Sequence, residues 1–298
     1  MIKKNKNILR LIVLTLFFSC NIFAKDLGRK TVFITGGVTG IGGAIAQEFA
    51  DAGWDVWVST RNIGIGAPSN IHVISLDLTN QLSIRKAITE IHKASGRIDV
   101  VVNNAGYGLL GAVESLSIDQ IKDEFEINLY GAMRVIQEIL PIMRQQKSGH
   151  IINISSTSGI RAVPGLGAYA ASKKALEAFS ESIAAEVSIW NIKMSVIQPG
   201  TVKNSWISNC TFGNRHVDKK YNDLSDQLRK TLLERSFDGQ KQTEIGKIVL
   251  DVAENSNPDF RYQVNQQGID IASEVYVERS GNTMRSKMID FAKKLFKP

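Results

Sequence analysis

Residues Thr31–Gly42 restrict the fold more than any other stretch. Thr31–Thr35 (TVFIT) has the length and β-branched content of a buried strand, and it runs directly into Gly36, Gly37, Gly40 and Gly42. Helical sequence resumes at once through Ala44, Ile45, Ala46 and Phe49. A chain that passes from strand to helix across a few glycines turns tightly and lets its backbone approach a bound group. The helix start behind them offers unpaired N–H groups and a positive dipole end, which suits a pyrophosphate. Thr35, Gly36, Gly40, Ile41 and Gly42 are therefore the first candidate cofactor-binding residues.

The same rhythm continues along the chain. Asp55–Ser59, Ile71–Leu76, Asp99–Val102, Ile151–Ile154, Lys193–Pro199 and Phe260–Asn265 read as strands, with helical stretches such as 80–95 between them. Alternating strand and helix predicts an α/β fold: a doubly wound parallel sheet, or Rossmann fold, of about seven strands in a single domain. No internal repeat and no linker rich in Gly, Pro or Ser divides it.

Ligands of such sheets sit at the carboxyl ends of the strands, so the residues following each strand carry the information. After the second come Thr60, Arg61 and Asn62. An acid there would receive a ribose 2′-hydroxyl, whereas an Arg accommodates a 2′-phosphate, so NADP(H) is favoured over NAD. Asp77 and Thr79 follow the third strand, where either can cap the next helix. The fourth leads into Asn103, Asn104, Ala105 and Gly106, small residues for close approach and amides able to tie a strand to a loop. The fifth ends in Ser155 and Ser156. A helix opening near Ala168 then carries Tyr169 and Lys173, four apart and so on one face. A phenol, an ammonium and a hydroxyl can thus converge on one crevice.

Ser156, the Tyr169-x-x-x-Lys173 pair, the Thr35–Gly42 glycine spacing and the Asn103–Gly106 run together resemble the short-chain dehydrogenase/reductase family. The resemblance covers about Lys30–Gly200 closely and the remainder loosely. It implies a proton-transferring Tyr169, a Ser156 that hydrogen-bonds the substrate oxygen, and a Lys173 that lowers the phenol's pKa and holds the nicotinamide ribose. It also implies that Asn128 props a helix distortion and a water relay behind Lys173, that Asp77 contacts the adenine, and that Pro199 and Gly200 border the cofactor. Asn204 stands where the family commonly has a Thr on the carboxamide, and 203–240 matches its variable substrate lid. Ser155 and Ser158 are read as turn residues. The run after Gly106 and the segment PDFRYQ look like the branch with 17β-hydroxysteroid and retinol dehydrogenases. Tyr107, Leu109, Leu110, Val163, Pro164 and Leu166 would then wall an apolar ketone or secondary alcohol.

Two other readings compete. A catalytically idle NADP(H)-binding sensor or scaffold would usually lack one of Asn128, Ser156, Tyr169 and Lys173, and all are present. A sugar-nucleotide epimerase or dehydratase shares the Tyr/Lys pair but resembles a shorter glycine spacing and a larger carboxyl-terminal domain.

Composition adds limits. His72, His92, His150, His216, Cys20 and Cys210 have no ligand-like spacing, so no metal site is expected. The net charge of +7 is concentrated in Lys3, Lys4, Lys6 and Arg10; beyond residue 24 the balance is 32 basic to 29 acidic, so nucleic acid is not expected as a partner. Those charges precede the apolar run Leu11–Ser19, with Ala24 a tolerable cleavage site, the layout of a signal or anchor that would export the chain or hold it at a membrane surface. The run is short of the roughly 20 residues a spanning helix needs. If the start is misassigned, a cytoplasmic protein remains. Residues 1–24 are thus set apart from a catalytic domain at 25–298. Met133, Ile136, Ile139 and Leu140 have helical spacing suited to a core or a subunit contact, and a homodimer or homotetramer is expected from the family.

Overall fold

The computed structural model describes residues 28–64, 66–203, 206–215 and 218–277. The leader at 1–24 and Asn204 lie outside them.

β1 (Thr31–Ile34) is followed by α1 (Gly40–Asp51), β2 (Asp55–Thr60), β3 (His72–Ser75), α2 (Gln81–Ser95) and β4 (Val100–Asn103). A short β5 (Leu109–Leu110) precedes α3 (Ile118–Phe125), a π-helical turn at Glu126–Gly131, and α4 (Ala132–Gln146). Then come β6 (Gly149–Ile154), the single turn α5 (Thr157–Ile160), α6 (Gly167–Val187), β7 (Ile192–Gln198) and β8 (Thr211–Phe212). α7 (Lys219–Phe237), α8 (Gln242–Glu254), β9 (Arg261–Gln263) and α9 (Gln266–Val275) complete the described chain.

Seven strands form one parallel sheet in the order β3-β2-β1-β4-β6-β7-β9. Its central strands are apolar and buried on both faces, as a sheet covered by helices on two sides demands. Val32, Ile34, Val56, Val58, Val102 and Ile152 meet Ile45 and Phe49 of α1 and Ile245 and Val249 of α8. Phe33, Trp57, Val101 and Ile151 point the other way, to Ile84 and Ile91 of α2, Val135, Ile139 and Met143 of α4, and Ile183 of α6. The strand period of two sends neighbouring residues into opposite cores. Ile136 and Ile139 thus belong to the interior, whereas Met133 and Leu140 are only partly buried.

The chain leaves β1 toward β2 and β3 and returns to β4 on the other side of β1, so a crevice opens at the carboxyl ends of β1 and β4. The sequence places each strand of this sheet within a residue or two of its observed ends. The segment 203–240, which carries no motif, contains the long helix α7, held down by Leu224 and Leu228 one turn apart. The helix cap differs from expectation: Asn80, not Asp77 or Thr79, accepts the Leu82 and Ser83 amides at the start of α2, at 2.9 and 3.1 Å. No helix among the described residues is long and apolar enough to cross a membrane.

Candidate active site

A groove of about 940 Å³ runs along the carboxyl edge of the sheet. Gly36 and Gly40 both adopt positive φ, at 63° and 64°, so side chains would be strained there. A Cβ on Gly40 would meet nothing within 4 Å, which leaves the helix start open to the groove. α1 has no side-chain cap and no acid in its first turn, so its leading N–H groups are available to an anion. These features fit the diphosphate of a dinucleotide. Gly36, Gly40 and Ile41 line the groove. Gly42 does not: it packs so closely on the Gly36 carbonyl and the Asn104 amide that a Cβ would collide with both.

The Asn103–Gly106 junction is held by its amides. Asn104 donates from Nδ2 to the carbonyls of Thr35 and Gly36, both at 3.0 Å, while the amides of Asn104 and Ala105 donate to Thr35 Oγ1 at 3.0 and 3.1 Å. Thr35 and the Asn104 side chain therefore shape the glycine loop from behind. Asn103 donates to Asn153 across β4 and β6 at 2.8 Å. Arg61, Ala105, Gly106, Pro199 and Gly200 line the groove. Asp77 is turned to Thr79, accepting from its amide and hydroxyl at 2.9 and 2.8 Å, which holds its carboxyl below its ordinary pKa.

Ser156, Tyr169 and Lys173 converge where the groove meets α6. Ser156 follows β6 and caps α5, accepting from the Ser158 amide at 3.1 Å, and its hydroxyl stands beside Tyr169, where it favours the charged phenol. Tyr169 is only 7% exposed. Lys173, also buried, donates to the Ile154 carbonyl at 2.9 Å and sits 5.8 Å from the centre of the Tyr169 ring. Asn128 lies in the π-helical turn, where it accepts from the Tyr107 amide at 3.0 Å and donates to the Tyr107 carbonyl at 2.9 Å and to Ser172 at 3.1 Å. The helix distortion expected at Asn128 is thus present, and the amide uses it to pin the loop after Gly106.

One electrostatic expectation is corrected. The spacing of Tyr169 and Lys173 suggests a phenol acidified by its neighbour, yet burial pushes the phenol above its ordinary value, opposed by the nearby Ser156 hydroxyl. Lys173 is turned to a main-chain carbonyl and not to the phenol oxygen, and burial lowers its own pKa to about 8. At neutral pH Tyr169 carries its proton.

Sequence reasoning missed several neighbours. Ser155 is not a turn residue: it donates to Glu177 at 2.5 Å, and Gln198 donates to the other Glu177 oxygen at 2.9 Å. Glu177 stands four residues after Lys173, a spacing that puts it on the same face of α6. Trp206 packs on Tyr169 with ring centroids 5.1 Å apart. No pattern in the polar segment announces that contact. Glu124, fully buried, carries an acid into the interior of α3 four residues before Asn128.

The chain belongs to the short-chain dehydrogenase family, whose model matches residues 30–211. It is an oxidoreductase built on an NAD(P)-binding fold. It is 30% identical to 3-ketodihydrosphingosine reductase of Bacteroides thetaiotaomicron, over 90% of this chain and 97% of that protein. It is 28% identical to NADPH-dependent 3-dehydrocapnine reductase of Ornithobacterium rhinotracheale, over 82% and 91%. Retinol dehydrogenase 8 of Bos taurus is 30% identical over 79% of this chain and 81% of its own length. Among solved structures, a short-chain dehydrogenase from Streptomyces avermitilis superposes with a TM-score of 0.77 at 27% identity, covering 89% of this chain and 97% of that one.

Proposed function

We propose that the protein reduces an apolar ketone with NADPH, through Tyr169, Ser156, Lys173 and Asn128, in a catalytic domain spanning residues 25–298 with a lid at about 203–240. The observation that carries this reading is the buried Tyr169 phenol, protonated and beside Ser156 and Lys173 in the wall of the dinucleotide groove.

A bound nicotinamide supplies the hydride. The chain's own residues handle the substrate oxygen and its proton. Tyr169 and Ser156 bracket the position of that oxygen, so both hydroxyls can donate to it as negative charge builds there. Tyr169 then gives its proton to the substrate oxygen as that oxygen gains negative charge, having stayed protonated until that point. The phenolate left behind is favoured by the neighbouring Ser156 hydroxyl, while Lys173 would hold the nicotinamide ribose. Asn128 fixes Tyr107 and the start of the loop, and with it the wall facing the substrate. Arg61 and Thr60 line the groove beyond β2 with no acid between them and Asn62, which favours the 2′-phosphate of NADP(H).

The far wall is apolar: Leu110, Val163, Leu166, Trp206, Phe212 and Leu232 cluster around Tyr169. Such a wall suits a long or fused hydrocarbon next to the carbonyl. Three similar proteins point the same way by their names: a 3-ketodihydrosphingosine reductase, a 3-dehydrocapnine reductase and a retinol dehydrogenase. The test is NADPH oxidation with long-chain keto-amine, retinoid and steroid carbonyls, using the full chain and a protein starting at Lys25. Turnover of at least one apolar ketone with NADPH preferred over NADH is the expected result. Activity confined to small polar carbonyls, or to NADH, overturns it.

A further inference from the structure

Glu124 is a fully buried acid that the chemistry above does not use. It lies in the last turn of α3, just ahead of the π-helical turn that carries Asn128. Its Oε1 accepts the Leu109 amide of β5 at 2.7 Å, while Oε2 is buried with no hydrogen-bond partner. The helix packs on α6 through Ile121, Leu109, Leu116 and Ala168, the last of these beside Tyr169. The strip Gly106–Leu109 links the two places. A Cβ on Gly106 would lie 2.8 Å from Asn128 Oδ1 and 3.4 Å from Lys173 Nζ, and three residues later Leu109 is bound to Glu124.

An unpaired carboxylate in an apolar interior is costly, so its presence needs a compensating charge nearby. The ionisable groups facing Glu124 are Lys173 and Tyr169 on α6, Tyr107 on the loop after β4, and Cys210 before β8. Lys173 is the one cation among them. Glu177 also acts on Lys173, but both of its oxygens are occupied by Ser155 and Gln198. Glu124 retains a free oxygen, and its charge raises the Lys173 pKa against the effect of burial.

We infer that Glu124 is a positioning residue for the Tyr169–Lys173 pair: its buried carboxylate is the counter-charge that keeps the Lys173 side chain an ammonium. The inference rests on the proposed roles of that pair. It explains how an amine can stay charged at a buried site where desolvation favours the neutral form. It also couples two protonation events. Burial raises Glu124 to about 7, so Lys173 gains its counter-charge only as the pH climbs past neutrality.

The test is an NMR titration of Lys173 in protein labelled with 13Cε-lysine, the resonance being identified by its loss in Lys173→Arg. In Glu124→Gln, which keeps an acceptor for the Leu109 amide, the Lys173 midpoint is expected to fall by about one pH unit, the usual effect of a close charge. In Glu124→Asp the midpoint is expected to return most of the way. An unchanged midpoint in Glu124→Gln overturns the inference. Should that variant not fold, the wild-type curve decides: a second inflection near pH 7 supports the coupling, and a single step overturns it. The pH profile of NADPH-dependent turnover gives the functional readout, its alkaline limb moving to lower pH in Glu124→Gln. A wild type that reduces no carbonyl overturns the proposed function, while the titration, which needs neither substrate nor cofactor, still decides the role of Glu124.

Discussion

Trp206 lies against Tyr169 with ring centroids 5.1 Å apart and planes inclined at 55°. The contact joins the segment after β7 to the middle of the site. Gly108 makes it feasible, because a Cβ there would strike the indole. β5 and β8 pair in parallel, Leu109 with Thr211 and Leu110 with Phe212, and Cys210 donates to the Trp206 carbonyl at 3.3 Å. The indole, Leu166 and Leu228 together shield the phenol from water, and this burial is the main reason its pKa is raised.

Removing that cover has two expected effects. In Trp206→Ala the Tyr169 pKa falls toward its ordinary value, seen as phenolate absorbance that develops at lower pH than in wild type and is missing from Tyr169→Phe. The KM for an apolar ketone rises by on the order of tenfold, the scale of a lost aromatic pair and its area. An unchanged KM with an unchanged titration would mean that the indole takes no part in the substrate wall.

Tyr169→Phe is expected to lower kcat roughly 10²–10⁴-fold, the usual worth of general acid catalysis, while NADPH still quenches protein fluorescence with wild-type affinity. Ser156→Ala is expected to cost about 10²-fold, as for loss of one donor to a developing oxyanion. Retention of most of the activity in either variant contradicts the roles given to these hydroxyls.

Arg61→Ala isolates the cofactor preference. Loss of a charged hydrogen bond to the 2′-phosphate weakens NADPH by roughly 10- to 100-fold and leaves NADH affinity as it was. Isothermal titration with both cofactors separates this from a general loss of binding.

Gly42→Ala probes the packing under the glycine loop. The added methyl presses on the Gly36 carbonyl and the Asn104 amide, neither of which can move without opening the Thr35 junction. An overpacked site of this kind costs about 1–3 kcal/mol, read by urea denaturation, together with weakened cofactor binding.

Two buried groups give the stability profile its shape. His150 is held neutral by burial with its pKa lowered to about 3, so stability from this group is complete above the unfolded value near 6.5 and is lost as the pH falls from there. Glu124, raised to about 7, acts in the opposite sense: between about 4.5 and 7 the folded chain binds the extra proton, and stability is lost as the pH rises. Each contributes a slope of up to about 1.4 kcal/mol per pH unit, and the two oppose one another between about 4.5 and 6.5. Denaturant unfolding across that interval is expected to slope downward with rising pH in His150→Leu relative to wild type, and upward in Glu124→Gln. Parallel curves for all three proteins would refute the assignment.

What the sequence determined alone was the frame and the chemistry that can be written in local spacing. Strand-length apolar runs, the Thr35–Gly42 turn, the Asn103–Gly106 junction and the Tyr169/Lys173 pair each depend on residues close together in the chain, so period and turn chemistry expose them. The strand boundaries shift by a residue or two because pairing with neighbours, not propensity, ends a strand. Tertiary structure alone decided the rest. Glu124 and Trp206 reach the site from separate segments, and only folding brings them to Tyr169 and Lys173. The charge state of the phenol was settled there as well. Spacing along a helix predicts attraction to an ammonium, but burial by Trp206, Leu166 and Leu228 and the turn of Lys173 toward Ile154 outweigh it, because desolvation depends on everything packed around a group and not on its nearest neighbour in the chain.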